Sequence, residues 1–126
     1  MKTQTNDIFR KYTTPETFER IKEYTTVAEM WASAAKEFAD DVAVVDDGRS
    51  VTFAELDKDV AAFRGALLEV TGGKKVRVAL YSVNSYEFVK AYLAITTLGC
   101  TAIILPPQLP DMAVLGCCMK FGAAAL

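Results

Sequence analysis

The amino-acid sequence predicts a three-layer α/β fold, with a mainly parallel sheet, helices on both faces of the sheet and a β-hairpin near the N-terminus. In residues 76–105, two apolar strands flank one amphipathic helix at the length of a βαβ unit. Both strands are almost continuously apolar, which is typical of strands covered on both sides. In residues 42–53, two β-branched runs flank Asp47 and Gly48, which favour a tight hairpin turn.

Two regions are predicted along the chain. Residues 1–25 form an N-terminal arm with one short helix over 15–22, because Thr14 is a candidate N-cap and Pro15 suits the first helical position. Residues 26–126 form a partial α/β subdomain.

Capping boxes predict the first two helices of this subdomain, since a Thr side chain and a Glu three residues later satisfy two backbone N–H groups. Thr26 and Glu29 form the first box, and Thr52 and Glu55 form the second. The two helices should extend to about residues 38 and 70. Their apolar, predicted buried faces consist of Val27, Met30, Trp31, Ala34, Ala35 and Phe38 in the first and Leu56, Val60, Phe63, Leu67 and Val70 in the second.

The helix of the central βαβ unit has a predicted start and end. Asn84 is expected to accept a hydrogen bond from the backbone N–H of Glu87, while the Glu87 side chain reaches back to the helix start. Gly99 supplies the positive φ that ends the helix. Beyond the second strand, prolines predict an extended exit, followed by a short helix over 112–120 and the start of a further strand at 123–126.

Composition excludes several classes of function. The 126 residues include 14 basic and 16 acidic side chains, for a net charge of -2, so nothing favours a nucleic-acid partner. The sequence has neither an apolar run of membrane-spanning length nor a signal-peptide pattern, so we expect a cytoplasmic protein with no membrane span. Cys100 and the adjacent Cys117 and Cys118 suit neither a disulfide framework nor a zinc site.

The catalytic repertoire is restricted. The sequence contains no histidine, so a Ser-His or Cys-His pair is excluded, and any general base is a carboxylate, a lysine or a tyrosine. No glycine pattern matches a phosphate-binding loop. Residues 72–75, Gly-Gly-Lys-Lys, come closest, but they precede a strand; a solvated turn is favoured, and an anion contact is the alternative.

Two further pairs of residues each have two interpretations. Asp46 and Asp47 suit either an acid–base pair or the tip of a hairpin, and the turn is favoured. Cys117 and Cys118 suit either a redox pair or apolar packing, and packing is favoured because no cation is identifiable beside them. The acidic run Glu55, Asp57 and Asp59 is expected to be an exposed helix flank.

The best-placed polar residues are Ser82, Asn84 and Ser85. They follow the first central strand, and ligands of open α/β sheets gather at the carboxyl ends of strands. Helix capping is the favoured role, and ligand binding is the alternative.

From Thr26 to Leu126 the chain resembles the extreme N-terminal part of the adenylate-forming (AMP-binding) acyl/aryl-CoA synthetase superfamily, which includes peptide-synthetase adenylation domains and luciferases. Residues 51–67, VTFAELDKDVAAFRGAL, resemble an early family segment, and residues 76–109 resemble the next one. The chain departs from the family pattern at Lys75-Val76, where Gly-Asp is usual, and at Val83, where proline is common. The matching structural motif residues are Thr52, Phe53, Glu55, Leu56, Asn84, Ser85, Glu87, Phe88, Leu98, Gly99 and Pro106.

This resemblance implies a function for a full-length relative. A carboxylate attacks the α-phosphorus of ATP, with Mg²⁺, to give an acyl-adenylate and pyrophosphate, and most members then transfer the acyl group to a thiol such as CoA. The catalytic motifs of the family lie beyond the segment that this chain matches. The resemblance therefore assigns no catalytic, cofactor-binding or metal-binding residue here.

Two functions are therefore expected. The first is an N-terminal fragment of an ATP-dependent acid-thiol ligase, inactive alone, with ATP, Mg and CoA needed only by the full-length family. The second is a self-contained, non-catalytic α/β binding or assembly module. The sequence also predicts self-association through residues 107–126, whereas the acid substrate and the acceptor thiol cannot be inferred.

Overall fold

The computed structural model describes residues 4–126, with side chains described from residue 7 onward. The chain folds as a mixed α/β structure, as predicted. The helices are α1 (Gln4–Tyr12), α2 (Pro15–Glu19), α3 (Val27–Glu37), α4 (Phe53–Thr71), α5 (Tyr86–Thr97) and α6 (Asp111–Phe121), and the strands are β1 (Val42–Asp46), β2 (Arg49–Thr52), β3 (Arg77–Tyr81), β4 (Thr101–Leu105) and β5 (Ala123–Ala125).

The strands form two sheets. β1 and β2 pair antiparallel as the predicted hairpin, and its turn contains Asp47 at φ 46° and Gly48 at φ 75°. Both angles are left-handed, which Gly adopts freely and Asp tolerates better than most residues. The second sheet has the order β4-β3-β5, and both pairings are parallel. The predicted βαβ unit is therefore β3–α5–β4.

Helices cover both faces of the parallel sheet, because side chains alternate between the faces along a strand. Val78 and Leu80 face the larger core, which α3, α4 and α5 also form. Ala79 faces a smaller core, where α6 contributes Val114. The three predicted layers are confirmed. The larger core has ten buried residues, which are Trp31, Ala35, Val51, Leu56, Val60, Leu67, Val78, Tyr86, Ala94 and Ile95.

The capping box at the start of α4 is confirmed. The Thr52 hydroxyl accepts a hydrogen bond from the backbone N–H of Glu55 at 3.2 Å, and the Glu55 carboxylate accepts one from the backbone N–H of Thr52 at 2.9 Å. At the other end of α4, Gly72 adopts φ 60°. At the start of α3, Thr26 accepts from the N–H of Glu29, but the Glu29 side chain accepts from Thr25 instead of completing the box.

The predicted cap of α5 is wrong by one residue. The N-cap is Ser85, whose hydroxyl accepts a hydrogen bond from the backbone N–H of Phe88 at 3.3 Å. Asn84 lies one position too early for that role. The Glu87 side chain does not reach back, because it pairs with Lys90, one turn further along α5.

Gly99 ends α5 as predicted. It adopts φ 73° and donates its N–H to the carbonyl of Thr96 at 3.0 Å, while Cys100 donates to the carbonyl of Ile95 at 3.1 Å. Together these bonds form a Schellman motif, which satisfies carbonyls that the helix leaves without partners.

One helix was not predicted, and three expectations are wrong. The helix that was not predicted is α1, and α2 ends at Glu19 instead of near residue 22. Val27, Met30 and Phe38 of the α3 region are each more than 40% exposed, because only Trp31 and Ala35 of that region point fully into the core. Val70 is 70% exposed in the last turn of α4, where no neighbour covers it. Among the described residues, none of the helices has the length and apolarity needed to cross a membrane.

Candidate functional site

The carboxyl edge of the parallel sheet is the first candidate site, since open α/β sheets bind ligands there. β3 and β5 both end at this edge, and α6 begins beside them. A cavity of about 410 Å³ lies between these elements. It is lined by Tyr81, Asp111, Val114, Leu115, Cys118 and residues 123–126.

Tyr81 fixes one wall of this cavity. Its hydroxyl donates to the backbone carbonyl of Leu109 at 2.8 Å and lies 3.1 Å from that of Pro107. These carbonyls belong to the segment between β4 and α6, so the end of β3 holds that segment in place. The start of α6, and with it Asp111, is positioned by this contact.

The described side chains that line this cavity carry no positive charge. Asp111 contributes a carboxylate, Tyr81 uses its hydroxyl on backbone carbonyls, and no lysine or arginine among the described residues lines the cavity. Phosphate groups need cationic side chains or several free backbone N–H groups. The lining is otherwise apolar, so the cavity suits an apolar group beside one carboxylate.

The sequence singled out three polar residues at this edge, and the structure gives two of them local partners. Ser85 caps α5, and the Ser82 hydroxyl donates to the carbonyl of Val83 at 3.0 Å. Asn84 is exposed in the loop before α5, two positions ahead of the first helical residue. Capping, the favoured interpretation, therefore describes Ser85, and none of the three lines the cavity.

A second polar cluster joins the hairpin to α4 and α5, and the sequence did not predict it. The Tyr86 hydroxyl donates to the Asp59 carboxylate at 2.7 Å, and the Tyr86 backbone N–H donates to the Asp46 carboxylate at 2.7 Å. The Arg49 guanidinium lies 5.1 Å from the centre of the Tyr86 ring. Asp46 therefore places a negative charge at the N-terminus of α5, where the helix dipole favours one.

The Tyr86 hydroxyl is perturbed by this environment. Burial, reinforced by the hydrogen bond to Asp59, raises the pKa of Tyr86 from 10.0 to about 12. Both effects disfavour the phenolate, because it would be poorly solvated and would lie beside a carboxylate. The side chain thus stays protonated and serves as a hydrogen-bond donor across the neutral pH range.

Only Glu55 of the acidic run on α4 is exposed as expected, whereas Asp57 and Asp59 are half-buried. Asp57 accepts a hydrogen bond from the Trp31 indole N–H at 2.6 Å, Asp59 accepts from Tyr86, and Glu55 belongs to the capping box. The first two contacts join residues 26 and 27 positions apart. Nothing local in the sequence indicates them. Asp57 therefore fastens α4 to α3, and Asp59 fastens it to α5, whereas Glu55 is exposed and caps α4 itself.

The remaining candidates have structural positions. Cys117 and Cys118 are half-buried and pack against the smaller core, in agreement with the favoured packing interpretation. In the segment 72–75, two glycines turn the chain out of α4, and the aliphatic part of Lys75 lies against Gly99. The two cysteines therefore help to pack α6 on the sheet, and the segment 72–75 connects α4 to β3.

Comparison with known proteins agrees with this structure. The sequence model of the family described as "AMP-binding enzyme" matches residues 31–126, which is well over half of the chain. The chain belongs to the AMP-binding enzyme family. No curated protein matches the chain.

Solved structures of adenylate-forming enzymes share the fold. An artificially fused adenylation–PCP di-domain NRPS from Klebsiella oxytoca, NpsA-ThdA, has a TM-score of 0.74 at 22% identity, over 81% of this chain and 19% of its own. The N-terminal subdomain of Klebsiella oxytoca NpsA, in complex with 3-hydroxyanthranilyl-AMSN, has a TM-score of 0.73 at 23% identity, over 79% of this chain and 26% of its own.

A third structure comes from a ligase. The anthranilate CoA ligase AuaEII, in complex with anthranoyl-AMP, has a TM-score of 0.68 at 18% identity, over 83% of this chain and 20% of its own. At these identities the likeness establishes the fold alone. The chain spans between about a fifth and a quarter of the lengths of these three structures.

The residues of the family-like motif occupy structural positions in this fold. Phe53 stacks on Trp31 with the ring centres 6.0 Å apart, and Leu56 is fully buried. Phe88 stacks on Tyr92 one turn along α5, with the ring centres 6.3 Å apart. The others are the helix-boundary residues Thr52, Glu55, Asn84, Ser85, Glu87, Leu98 and Gly99, together with Pro106, which follows β4. The motif therefore specifies helix boundaries and core packing.

Proposed function

We propose that this chain is the N-terminal scaffold part of an ATP-dependent acid-thiol ligase of the AMP-binding family and that it has no ligase activity alone. The match of the family sequence model to residues 31–126 is the observation that carries this proposal. The two candidate sites support the second half of it. One is an apolar cavity beside a single carboxylate, and the other uses its carboxylates to bind neighbouring elements.

ATP, Mg²⁺, a small carboxylic acid and a thiol such as CoA are proposed as ligands of the full-length ligase only. The isolated chain should bind Mg-ATP no more tightly than about millimolar, since the cavity offers no cation to the phosphates. Calorimetric titration of the 126-residue chain with Mg-ATP tests this expectation. An affinity in the micromolar range would show a nucleotide site that the proposal denies.

The activity itself is tested by comparing two proteins. Pyrophosphate exchange should be absent for the 126-residue chain and present for a full-length ligase that contains these residues, across a panel of aliphatic and aromatic acids. A gene that continues past Leu126 into a Ser/Thr/Gly-rich loop followed by a lysine supports the ligase. A stop codon directly after Leu126 would favour the self-contained binding or assembly module instead.

We also propose that the isolated chain self-associates through residues 107–126 and that the protein acts in the cytoplasm. Two structural features support the first of these proposals. β5 pairs only with β3 among the described residues, so its other edge is available, and α6 exposes several large apolar side chains. Both kinds of surface associate readily with a partner.

A further inference from the structure

β4 forms one edge of the parallel sheet, since among the described residues it pairs only with β3. The backbone N–H of Thr101 donates to the carbonyl of Val76 at 3.0 Å, so Thr101 and every second residue after it hydrogen-bond towards β3. The N–H and carbonyl groups of Ala102 and Ile104 therefore point away from β3. These backbone groups can pair with an added strand.

The outer edge of β4 lacks the features that protect most edge strands. Its five residues, TAIIL, include no lysine, proline or glycine, and its register with β3 is continuous over the whole strand. Ile104 is β-branched and 54% exposed. The edge is thus open to pairing through its backbone and through an apolar side chain.

A groove of about 700 Å³ runs along this edge. It is lined by the whole of β4, by Arg77 of β3 and by residues 119–122 at the end of α6. Among the described residues, the charged side chains that line it are Arg77 and Lys120, so the groove is positive. Neither cation takes part in an ion pair in the part of the chain that the structure describes. Arg77 donates one N–H to the carbonyl of Phe121 at 3.4 Å, and its guanidinium carries several more donors.

The groove therefore places strand-pairing backbone groups beside cations without carboxylate partners. A small anion would use the cations and leave the edge of β4 unpaired. A second copy of β4 would pair the edge and leave the cations unpaired, because residues 98–110 contain no carboxylate. An extended segment with acidic side chains satisfies both, since strand addition gains its affinity from the backbone and its specificity from alternate side chains.

We infer that the outer edge of β4 binds an extended acidic segment of another protein, which joins the parallel sheet as a fourth strand and places carboxylates beside Arg77 and Lys120. This inference goes beyond the proposed ligase function. It also uses the edge of the sheet opposite to β5, so it does not depend on the free edge of that strand.

The probe is a fluorescein-labelled hexapeptide, VEVEVT-amide, whose two glutamates project from one face of an extended strand. Its binding to the 126-residue chain is measured by fluorescence anisotropy. We expect a dissociation constant on the order of 100 µM for VEVEVT and binding at least about tenfold weaker for VKVKVT. Absence of binding by VEVEVT up to about 1 mM, or equal binding of the two peptides, overturns the inference.

Two N-methylated forms of VEVEVT test strand addition without altering the protein. One is methylated on its odd residues and the other on its even residues, so each form lacks N–H donors along one side only. An added strand pairs through one side, so one form should bind like the parent peptide and the other at least about tenfold more weakly. Equal affinities for the two forms would show a contact that does not use the peptide backbone and would overturn the inference.

Charge variants of the protein test the acidic partner. Arg77→Gln and Lys120→Gln should each weaken VEVEVT binding by about threefold or more, and this difference should vanish when VQVQVT is the probe. Lys58→Gln is the matched control, because Lys58 is exposed on α4 and does not line the groove, and it should bind like the parent. If all three variants bind VEVEVT equally, the two cations do not select the partner and the inference fails.

Amide hydrogen exchange locates the bound peptide. Saturation with VEVEVT should slow exchange at Ala102 and Ile104, the two residues whose N–H groups face the open edge, and should leave residues 123–125 of β5 unchanged. Protection of β5 with no change at Ala102 and Ile104 would place the peptide on the other edge of the sheet and overturn the assignment to β4.

Discussion

The two faces of the parallel sheet differ in how completely they are covered. On one face, α3, α4 and α5 enclose a core of ten buried residues, and polar side chains tie these helices together. On the other face, α6 contributes Val114 to a core of only three buried residues and exposes most of its large apolar side chains. The first face is therefore self-sufficient in this chain, whereas the second still has apolar surface to bury.

The difference predicts where the stability of the chain resides. Ile95→Ala on α5 removes a side chain that is 1% exposed in the larger core, so unfolding should become easier by about 2–5 kcal/mol. Leu115→Ala on α6 should cost less than about 0.5 kcal/mol, because that side chain is 53% exposed in the monomer. Urea unfolding at about 0.1 µM protein, which lies below the roughly micromolar range of dimerisation, measures both. Similar losses for the two variants would contradict the contrast between the faces.

Glycines on the two sides provide the next comparison. Gly99→Val should cost about 1 kcal/mol or more, because Gly99 has φ 73° and a Cβ there would lie 3.3 Å from the Lys75 side chain. Gly116→Ala on α6 should stabilise the chain by about 0.5–1 kcal/mol, since Gly116 lies within a regular helix and an added Cβ meets open space. Urea midpoints of the two variants should therefore move in opposite directions. Equal urea midpoints for Gly99→Val and the parent would show that the positive φ at Gly99 is not needed to end α5.

The entry into α5 allows a test between adjacent residues. Ser85→Ala should cost about 1 kcal/mol, because it removes the hydroxyl that accepts from the N–H of Phe88. Asn84→Ala should change stability by less than about 0.5 kcal/mol, since Asn84 is exposed and is not the cap. Thermal unfolding of both variants compares them directly. A larger loss at Asn84 than at Ser85 would restore the capping box that the sequence suggested.

Local signals in the sequence predicted the elements of the fold well. The hairpin, the end of α5 at Gly99 and the capping box of Thr52 and Glu55 each depend on residues within a few positions of one another. The structure confirms all three features. The start of α5 was misplaced because Asn84 and Ser85 are both good caps, and the choice between them depends on tertiary contacts. One of these is the hydrogen bond from Tyr86 to Asp46 on the hairpin, 40 positions away.

The candidate site was less predictable for the same reason. Asp57 and Asp59 look like exposed helix residues until Trp31 and Tyr86 are brought beside them. The cavity at the carboxyl edge depends on the pairing of β5 with β3, which are more than 40 positions apart in the sequence. No short motif predicts such a distant pairing. The strand at 123–126 was nonetheless predicted, and the structure confirms it as Ala123–Ala125.

Tyr86 provides the last test of the enclosed face, and the change in stability with pH that it predicts appears only in alkali. The pKa of Tyr86 is about 12 in the folded chain and 10.0 as the reference for the unfolded chain, so the unfolded state loses its proton first. The contribution of the protonated hydroxyl is therefore complete below pH 10 and is lost as the pH rises from about 10 to 12. In Tyr86→Phe this ionisation is absent, while the lysines of the chain titrate as before. The gap in unfolding temperature between the parent and Tyr86→Phe should thus shrink from pH 9 to pH 11.5. A gap that stays constant across this interval would mean that the hydroxyl ionises equally in both states, and that Asp59 and burial do not hold its proton.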